Sequence, residues 1–223
     1  GRDYLFYKGF PIQVGIIRAT TADPDGNLSM EREALTLEAL AIAMAAHNSG
    51  GIVIAQVKRV VKEGSLRPHD VHVPCNLVDY IVIDPDQWQT TQTVYDPAIS
   101  GEILQPLSTF ENQVFGPEKV IARRAAMELK DGSAVNLGFG ISANVPRILL
   151  EEGQHGKVTW VIEQGAVGGI PLLDFAFGCA SNAEAFVASP HQFIYFQGGG
   201  FNCSLLSFLE VGADGSVNVS RLS

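Results

Sequence analysis

Trp160-Val161-Ile162-Glu163-Gln164-Gly165-Ala166-Val167-Gly168-Gly169-Ile170-Pro171 is an apolar run that ends on a carboxylate and passes at once into glycines. A strand that delivers a charge into a glycine-rich turn places it at the carboxyl end of a sheet, where open α/β folds keep their ligands. Glu163 is therefore the first candidate functional residue, and the glycines after it leave room for a substrate to approach.

The flanking sequence alternates strand and helix patterns. Upstream, Pro117 suits the first position of a helix running to about Lys130, Asp131-Gly132 turns the chain, and Ala134-Val135-Asn136-Leu137 reads as the next strand. Val145 to Glu152 reads as a helix. Near the start, Val14-Gly15-Ile16-Ile17 and Tyr4-Leu5-Phe6-Tyr7 read as strands. Glu31 to His47 has apolar residues at helical spacing, with Ser29 as N-cap, Glu31 and Glu33 in the first turn, and a stop at Asn48-Ser49-Gly50-Gly51. Ile52 to Val57 and Leu77 to Ile83 are apolar, β-branched runs that predict strands buried on both faces. The fold class that follows is α/β, with open, mostly parallel sheets and helices on both faces.

Residues 84–115 are polar, contain Pro85, Pro97 and Pro106, and show no sustained period, which predicts a linker. The chain thus divides into 1–83, the linker 84–115, and 116–223. Ala22-Asp23-Pro24-Asp25-Gly26-Asn27-Leu28-Ser29 resembles Ala213-Asp214-Gly215-Ser216-Val217-Asn218-Val219-Ser220, and each follows an apolar stretch, the second from Leu205 to Val211. Two Asp-Gly hairpins in related settings suggest two related α/β units, and strands close to Gly1 and Ser223 read as parts of sheets that continue beyond this segment.

Composition narrows the function classes. The 223 residues are 46% hydrophobic, with a formal net charge of −9 and no run of Lys or Arg, which argues against nucleic acid or an anionic membrane surface as partner. No stretch approaches the about 20 apolar residues of a membrane span, so a cytoplasmic location is expected. Cys75, Cys179 and Cys203 lack a C-x-x-C pair and read as buried thiols. His69-x-x-His72 lies in a polar loop without further ligands, so no metal is expected. Arg123 and Arg124 read as a solvated helix face, and Gln164, next to Glu163 along the chain, as structural.

Gly138-Phe139-Gly140-Ile141-Ser142-Ala143, after a strand and before a helix, fits the dinucleotide fingerprint G-x-G-x-x-A. Glu163 lies 25 positions after Gly138, near where a ribose-binding acid belongs. A non-covalent dinucleotide-binding module using Gly138, Gly140 and Glu163 is therefore one reading. Against it, a ribose-binding carboxylate does not need the glycines that follow Glu163, whereas a carboxylate approached closely by a substrate does. An inactive segment with exposed sheet edges is a third reading.

Glu163-Gln164-Gly165-Ala166-Val167-Gly168-Gly169 resembles the Glu-x-Gly signature of the family I coenzyme A transferases. Gly26 to Glu33, Gly50 to Val57, Val135 to Ile141, Gly198-Gly199-Gly200 and Gly215 to Ser220 are similar, in order, to motifs of the single-chain acetate or propionate CoA-transferase branch. The resemblance covers nearly the whole chain. It implies two related halves, each incomplete here: 1–83 as the end of the first, 84–115 as linker, and 116–223 as the start of the second, which supplies the nucleophile. The implied activity is a ping-pong exchange between acyl-CoA and short-chain carboxylates through a glutamyl-CoA thioester on Glu163. Coenzyme A is then a substrate, no permanent cofactor or metal is needed, and a homo-oligomer is expected. Gly138, Gly140, Gly165, Gly168 and Gly169 become candidates for the oxyanion hole, and Gly198 and Gly199 for the CoA path.

Overall fold

The structure, a computed structural model, describes residue 1 and residues 3–220. Two compact units are present: one comprises 1–33 and 38–87, the other 34–37 and 88–223. Residues 221–223, the expected end of the last strand region, lie outside the described residues.

In the first unit, β1 (Val14–Ala22) pairs in parallel with β3 (Ile52–Val60), which pairs in parallel with β5 (Tyr80–Ile83). On its other side β1 turns into β2 (Leu28–Ser29), antiparallel to it, and β4 (Val71–Val73) closes that edge. Helix α1 (Ala39–Asn48) lays Ala39, Ala43 and Ala46 on Ile17, Ala19, Val53, Ala55 and Val57. Alternate residues are buried along β3 and at the start of β1, with Val14, Ile16 and Ile52 on the opposite face exposed, whereas Ala19 to Ala22 of β1 are buried throughout. The burial on both faces expected for Ile52–Val57 and Leu77–Ile83 is not found: β3 is buried on the one face that α1 covers, since side chains point alternately to opposite faces, and β5 at the sheet edge is mostly exposed.

The helix expected from Glu31 begins at Ala39 instead. Ser29 belongs to β2, and the two acids are drawn to strand residues: Glu31 accepts hydrogen bonds from Thr21, Ser29 and Arg59, and Glu33 from Arg18 and Thr20. Charge-assisted bonds to guanidinium groups outweigh the modest gain of an acid in a first helical turn. Leu37 then adopts φ 48°, outside the helical region, which delays the start. Tyr4 to Tyr7 form no strand and are exposed; apolar content alone supplies no ladder partner. Of Leu77 to Ile83, only Tyr80 onward is strand, because Cys75–Leu77 takes a 3₁₀ turn.

The second unit holds α2 (Pro117–Ala126), β6 (Ala134–Leu137), α3 (Val145–Glu151) after a 3₁₀ turn at Ile141–Asn144, β7 (Thr159–Val161) and β8 (Ala166–Val167). A small ladder of β9 (Ile170–Pro171) and β10 (Ala180–Ser181) follows, then β11 (Ala185–Phe186), α4 (Ser189–Gln197), β12 (Cys203–Leu205) and the hairpin of β13 (Glu210–Val211) and β14 (Val217–Asn218). Helix α2 stops four residues short of Lys130. The apolar stretch from Leu205 to Val211 is not one strand: β12 ends at Leu205 and β13 starts at Glu210.

The five-stranded sheet of this unit runs β12-β6-β7-β8-β11, two parallel pairs followed by two antiparallel ones. The first unit's order β5-β3-β1-β2-β4 has the same succession. In both, a central strand (β1 or β7) ends in a tight hairpin to its antiparallel neighbour. The parallel neighbour follows the central strand in the first unit and precedes it in the second. Trp160, Val135 and Leu137 on one face of the second sheet pack with Ala122, Ala126, Ile148 and Leu149 of α2 and α3. No described helix is long and apolar enough to cross a membrane.

Candidate active site

Glu163 sits two residues beyond β7 in the turn that leads to β8. Gly165 N–H donates to Ile162 O at 2.9 Å, and Ile162 N–H to Ala166 O at 3.0 Å, so Glu163 and Gln164 form the tip of the hairpin. Gly165 closes this turn at φ +125°, and a Cβ there would lie 2.1 Å from Val187 O. Any side chain at 165 would therefore both strain the backbone and separate β8 from β11. The parallel strands β6, β7 and β12 all end on this side, so the carboxylate stands at their carboxyl end, partly exposed.

The Glu163 side chain is held by the neighbouring strand. Asn136, in the middle of β6 and 7% exposed, donates from Nδ2 to Glu163 Oε2 at 3.2 Å and to Val161 O at 3.2 Å. Its Oδ1 accepts from Ser204 Oγ on β12 at 2.9 Å. The ladder explains the convergence, since Asn136 is in register with Val161 on one side and with Ser204 on the other. Glu163, two residues past Val161, shares its face. From the helical side, buried Gln192 of α4 donates Nε2 to Ile162 O at 3.1 Å, fixing the carbonyl immediately before the carboxylate. Gln164 is packed with its Oε1 buried and its side chain in the space left by Gly178.

The glycines distribute around this site unevenly. Gly138 and Gly140 lie just beyond β6, against Leu206 and Ser207 respectively. Gly138 N–H already donates to Leu205 O at 2.8 Å. Gly165 N–H is engaged in the turn itself. Gly168 and Gly169 lie at the other end of the hairpin: Gly168 N–H donates to Trp160 O, and their missing side chains admit the Glu184 side chain and the Ser181 carbonyl. Both border a cleft of ≈ 490 Å³ with Trp160, His155 and Glu184. Gly198 and Gly199 end α4, their N–H groups donating to Ile194 O and Phe196 O.

The G-x-G-x-x-A segment is used for packing. Ser142 Oγ donates to Gly138 O at 2.8 Å, Ser207 Oγ to Phe139 O at 2.8 Å, and Pro146 in the first turn of α3 has no N–H to offer a phosphate. No group of three or more potential metal ligands gathers among the described residues.

Asn136, Ser204 and Gln192 were not singled out from the sequence. Asn136 carried a signal: an amide in the middle of an apolar strand must find partners, because a buried unpaired polar group is costly. Ser204 and Gln192 carried none, since their partners lie 68 and 30 residues away in the chain.

The second unit is thus an open α/β sheet with a carboxylate at the carboxyl end of its central strand, held by the Asn136 amide of the neighbouring strand. Residues 1–84 match the Coenzyme A transferase family model. The chain is 42% identical over its whole length to a caffeate CoA-transferase of Acetobacterium woodii, covering 43% of that protein. It is 38% identical, again over its whole length, to the acetate CoA-transferase YdiF of Escherichia coli K12, covering 42% of it. The solved thioester complex with CoA of the acyl-CoA transferase YdiF from E. coli O157:H7 superposes with a TM-score of 0.87 at 37% identity, over 99% of this chain and 43% of that one. The chain belongs to the coenzyme A transferase family, and it spans less than half the length of these relatives.

Proposed function

We propose that this chain carries the nucleophile of a short-chain acyl-CoA:carboxylate CoA-transferase, and that Glu163 is that nucleophile. The observation that carries the reading is the Glu163 carboxylate at the hairpin tip beside β6, with Asn136 Nδ2 on Oε2. A carboxylate so held attacks the carbonyl carbon of an acyl-CoA thioester; the C–S bond breaks and CoA leaves as thiolate, giving a mixed glutamyl anhydride. The thiolate then adds to the glutamyl carbonyl and expels the carboxylic acid as its anion, leaving a glutamyl-CoA thioester. An incoming carboxylate reverses the two steps.

Each addition places negative charge on a carbonyl oxygen, and a fixed hydrogen-bond donor lowers that barrier. Asn136 Nδ2 is a donor already directed at the glutamyl oxygen. The N–H groups of Gly138 and Gly165 are spent on backbone partners, so these glycines serve by leaving space. Gly140 stays a candidate beside them, and Gly168, Gly169, Gly198 and Gly199 are proposed only as borders of the CoA path. Ala166 and Val167 give the hairpin apolar walls that exclude the water which would hydrolyse either intermediate.

The names of the relatives, caffeate and acetate CoA-transferases, and the thioester complex of the E. coli protein support this reading. On the same reading, 1–83 end the first half of the enzyme, 84–115 connect, and 116–223 begin the second half. The complete protein is then a cytoplasmic homo-oligomer using acyl-CoA and short-chain acids, without a resident cofactor.

The test is intact-protein mass spectrometry of the complete protein mixed with acetyl-CoA, with peptide mapping, beside Glu163→Ala. A CoA adduct mapping to Glu163 and absent from the variant is expected. A folded, active protein without such an adduct would sink the covalent route.

A further inference from the structure

In the second sheet a polar line runs from β12 through β6 to the turn after β7: Ser204 Oγ to Asn136 Oδ1 at 2.9 Å, then Asn136 Nδ2 to Glu163 Oε2 at 3.2 Å. We propose that Ser204 is a positioning residue for the reaction, acting through Asn136 to present an N–H, and not a carbonyl oxygen, to Glu163. The inference rests on Glu163 being the nucleophile.

The physical argument concerns the two ends of a primary amide. They have nearly the same shape and opposite polarity, so packing alone selects poorly between them. At Asn136, one end faces two acceptors, Val161 O and Glu163 Oε2, and the other faces a hydroxyl. With Ser204 donating, all three contacts are attractive. If the amide turned over, Oδ1 would face a carbonyl oxygen and a carboxylate, and both contacts would become repulsive. Ser204 supplies a partner for Oδ1 where β12 would otherwise leave it without a protein donor, and an unpaired acceptor at a site only 7% exposed is costly.

The strand register makes this arrangement rigid. Cys203, Ser204 and Leu205 pair with Val135, Asn136 and Leu137, so the hydroxyl is delivered by backbone pairing and not by a mobile loop. Ser204 touches neither the turn nor the carboxylate in any hydrogen bond of its own; its effect on chemistry must pass through Asn136. This distinguishes it from a residue that binds substrate.

The test compares Ser204→Val with Ser204→Thr in the complete protein. The two differ by a methyl for a hydroxyl at equal size and are both favourable in a strand. Formation of the glutamyl-CoA adduct is followed by rapid-quench mass spectrometry, with thermal melts alongside and with the same substitutions repeated in Asn136→Ala. We expect Ser204→Val to slow adduct formation by about tenfold, the scale of one hydrogen bond in a transition state, with KM for acyl-CoA changed little. Ser204→Thr restores most of the rate, and in Asn136→Ala the Val and Thr forms react at equal rates.

If the unsubstituted protein forms no adduct on Glu163, the nucleophile reading fails and takes this inference with it. If the adduct forms and Ser204→Val matches Ser204→Thr, the nucleophile reading stands and the inference is overturned. A Val-to-Thr difference that persists in Asn136→Ala also overturns it, since the hydroxyl would then act by another path. Should Ser204→Val fail to fold, Ser204→Ala against Ser204→Thr reads the same comparison.

Discussion

Gly165 shows how closely a single position can be determined. Its φ of +125° and the 2.1 Å approach of Val187 O to any Cβ leave room for a hydrogen alone. Gly165→Ala is expected to lower stability by more than about 2 kcal/mol, through combined backbone strain and overpacking. Urea melts of the two proteins check the value; a change of under half that size would mean that β8 and β11 separate easily here. The place of Glu163, in a turn at the carboxyl end of a strand, was legible from the sequence because an apolar run leads into it and glycines follow. Asn136 was half legible, as a polar residue inside a strand. Ser204 was not legible, since its partner is chosen by the pairing of β12 with β6, which no local pattern encodes.

At the scale of elements, the two central strands make the same move to different ends. β1 turns through Asp23 to Asn27 into β2, and β7 turns through Glu163 to Gly165 into β8. In the first turn the Asp23 carboxylate is consumed by structure, accepting from the backbone N–H of Asp25, Gly26 and Asn27 and from Asn27 Nδ2. Burial opposes its ionisation, yet these hydrogen bonds, led by that of the Asn27 side chain, hold its pKa below the ordinary aspartate value. A group with a depressed folded pKa stabilises the fold above the unfolded value, about 3.9, and that contribution is lost as pH falls toward and through the folded value. Stability of the β1–β2 region should therefore drop between about pH 4 and the folded pKa, and Asp23→Asn should flatten this part of the profile. Hydrogen exchange of Gly26 and Asn27 against pH reads it, and an unchanged profile in the variant would refute the role.

The aligned sequence repeat matched the β1–β2 turn to the β13–β14 turn, both of them Asp-Gly hairpins. In sheet position, however, the counterpart of the first turn is the one that carries Glu163. The α1 start was also misplaced from sequence alone. The acids of a plausible first helical turn were claimed by Arg18 and Arg59, and a contest between local capping and distant ion pairs is settled only when the strands are in place.

At the scale of the whole molecule, a group of large apolar side chains on the first sheet is left uncovered. Val14, Ile16 and Ile52 share the open face of the first sheet, Tyr80 and Val82 on β5 extend it, and all five are exposed. Contiguous apolar surface of this kind favours association in water. The 223-residue chain expressed alone is expected to associate as its concentration rises, and Ile16→Lys with Val82→Lys should reduce it, as sedimentation velocity would show. Monodisperse monomer at all concentrations would refute association through this face.

By itself the sequence determined the alternation of strands and helices, the α/β class, the hairpin at Glu163 and, through its motifs, the coenzyme A transferase family. These are carried by local periodicity, turn chemistry and contiguous residues, all of which are written along the chain. Only the tertiary structure decided where α1 begins, which strands are neighbours, and that Asn136 and Ser204 stand in line with Glu163. Those outcomes depend on register between segments 27 and 68 residues apart, and hydrogen bonds across that distance exist only once the sheet has formed.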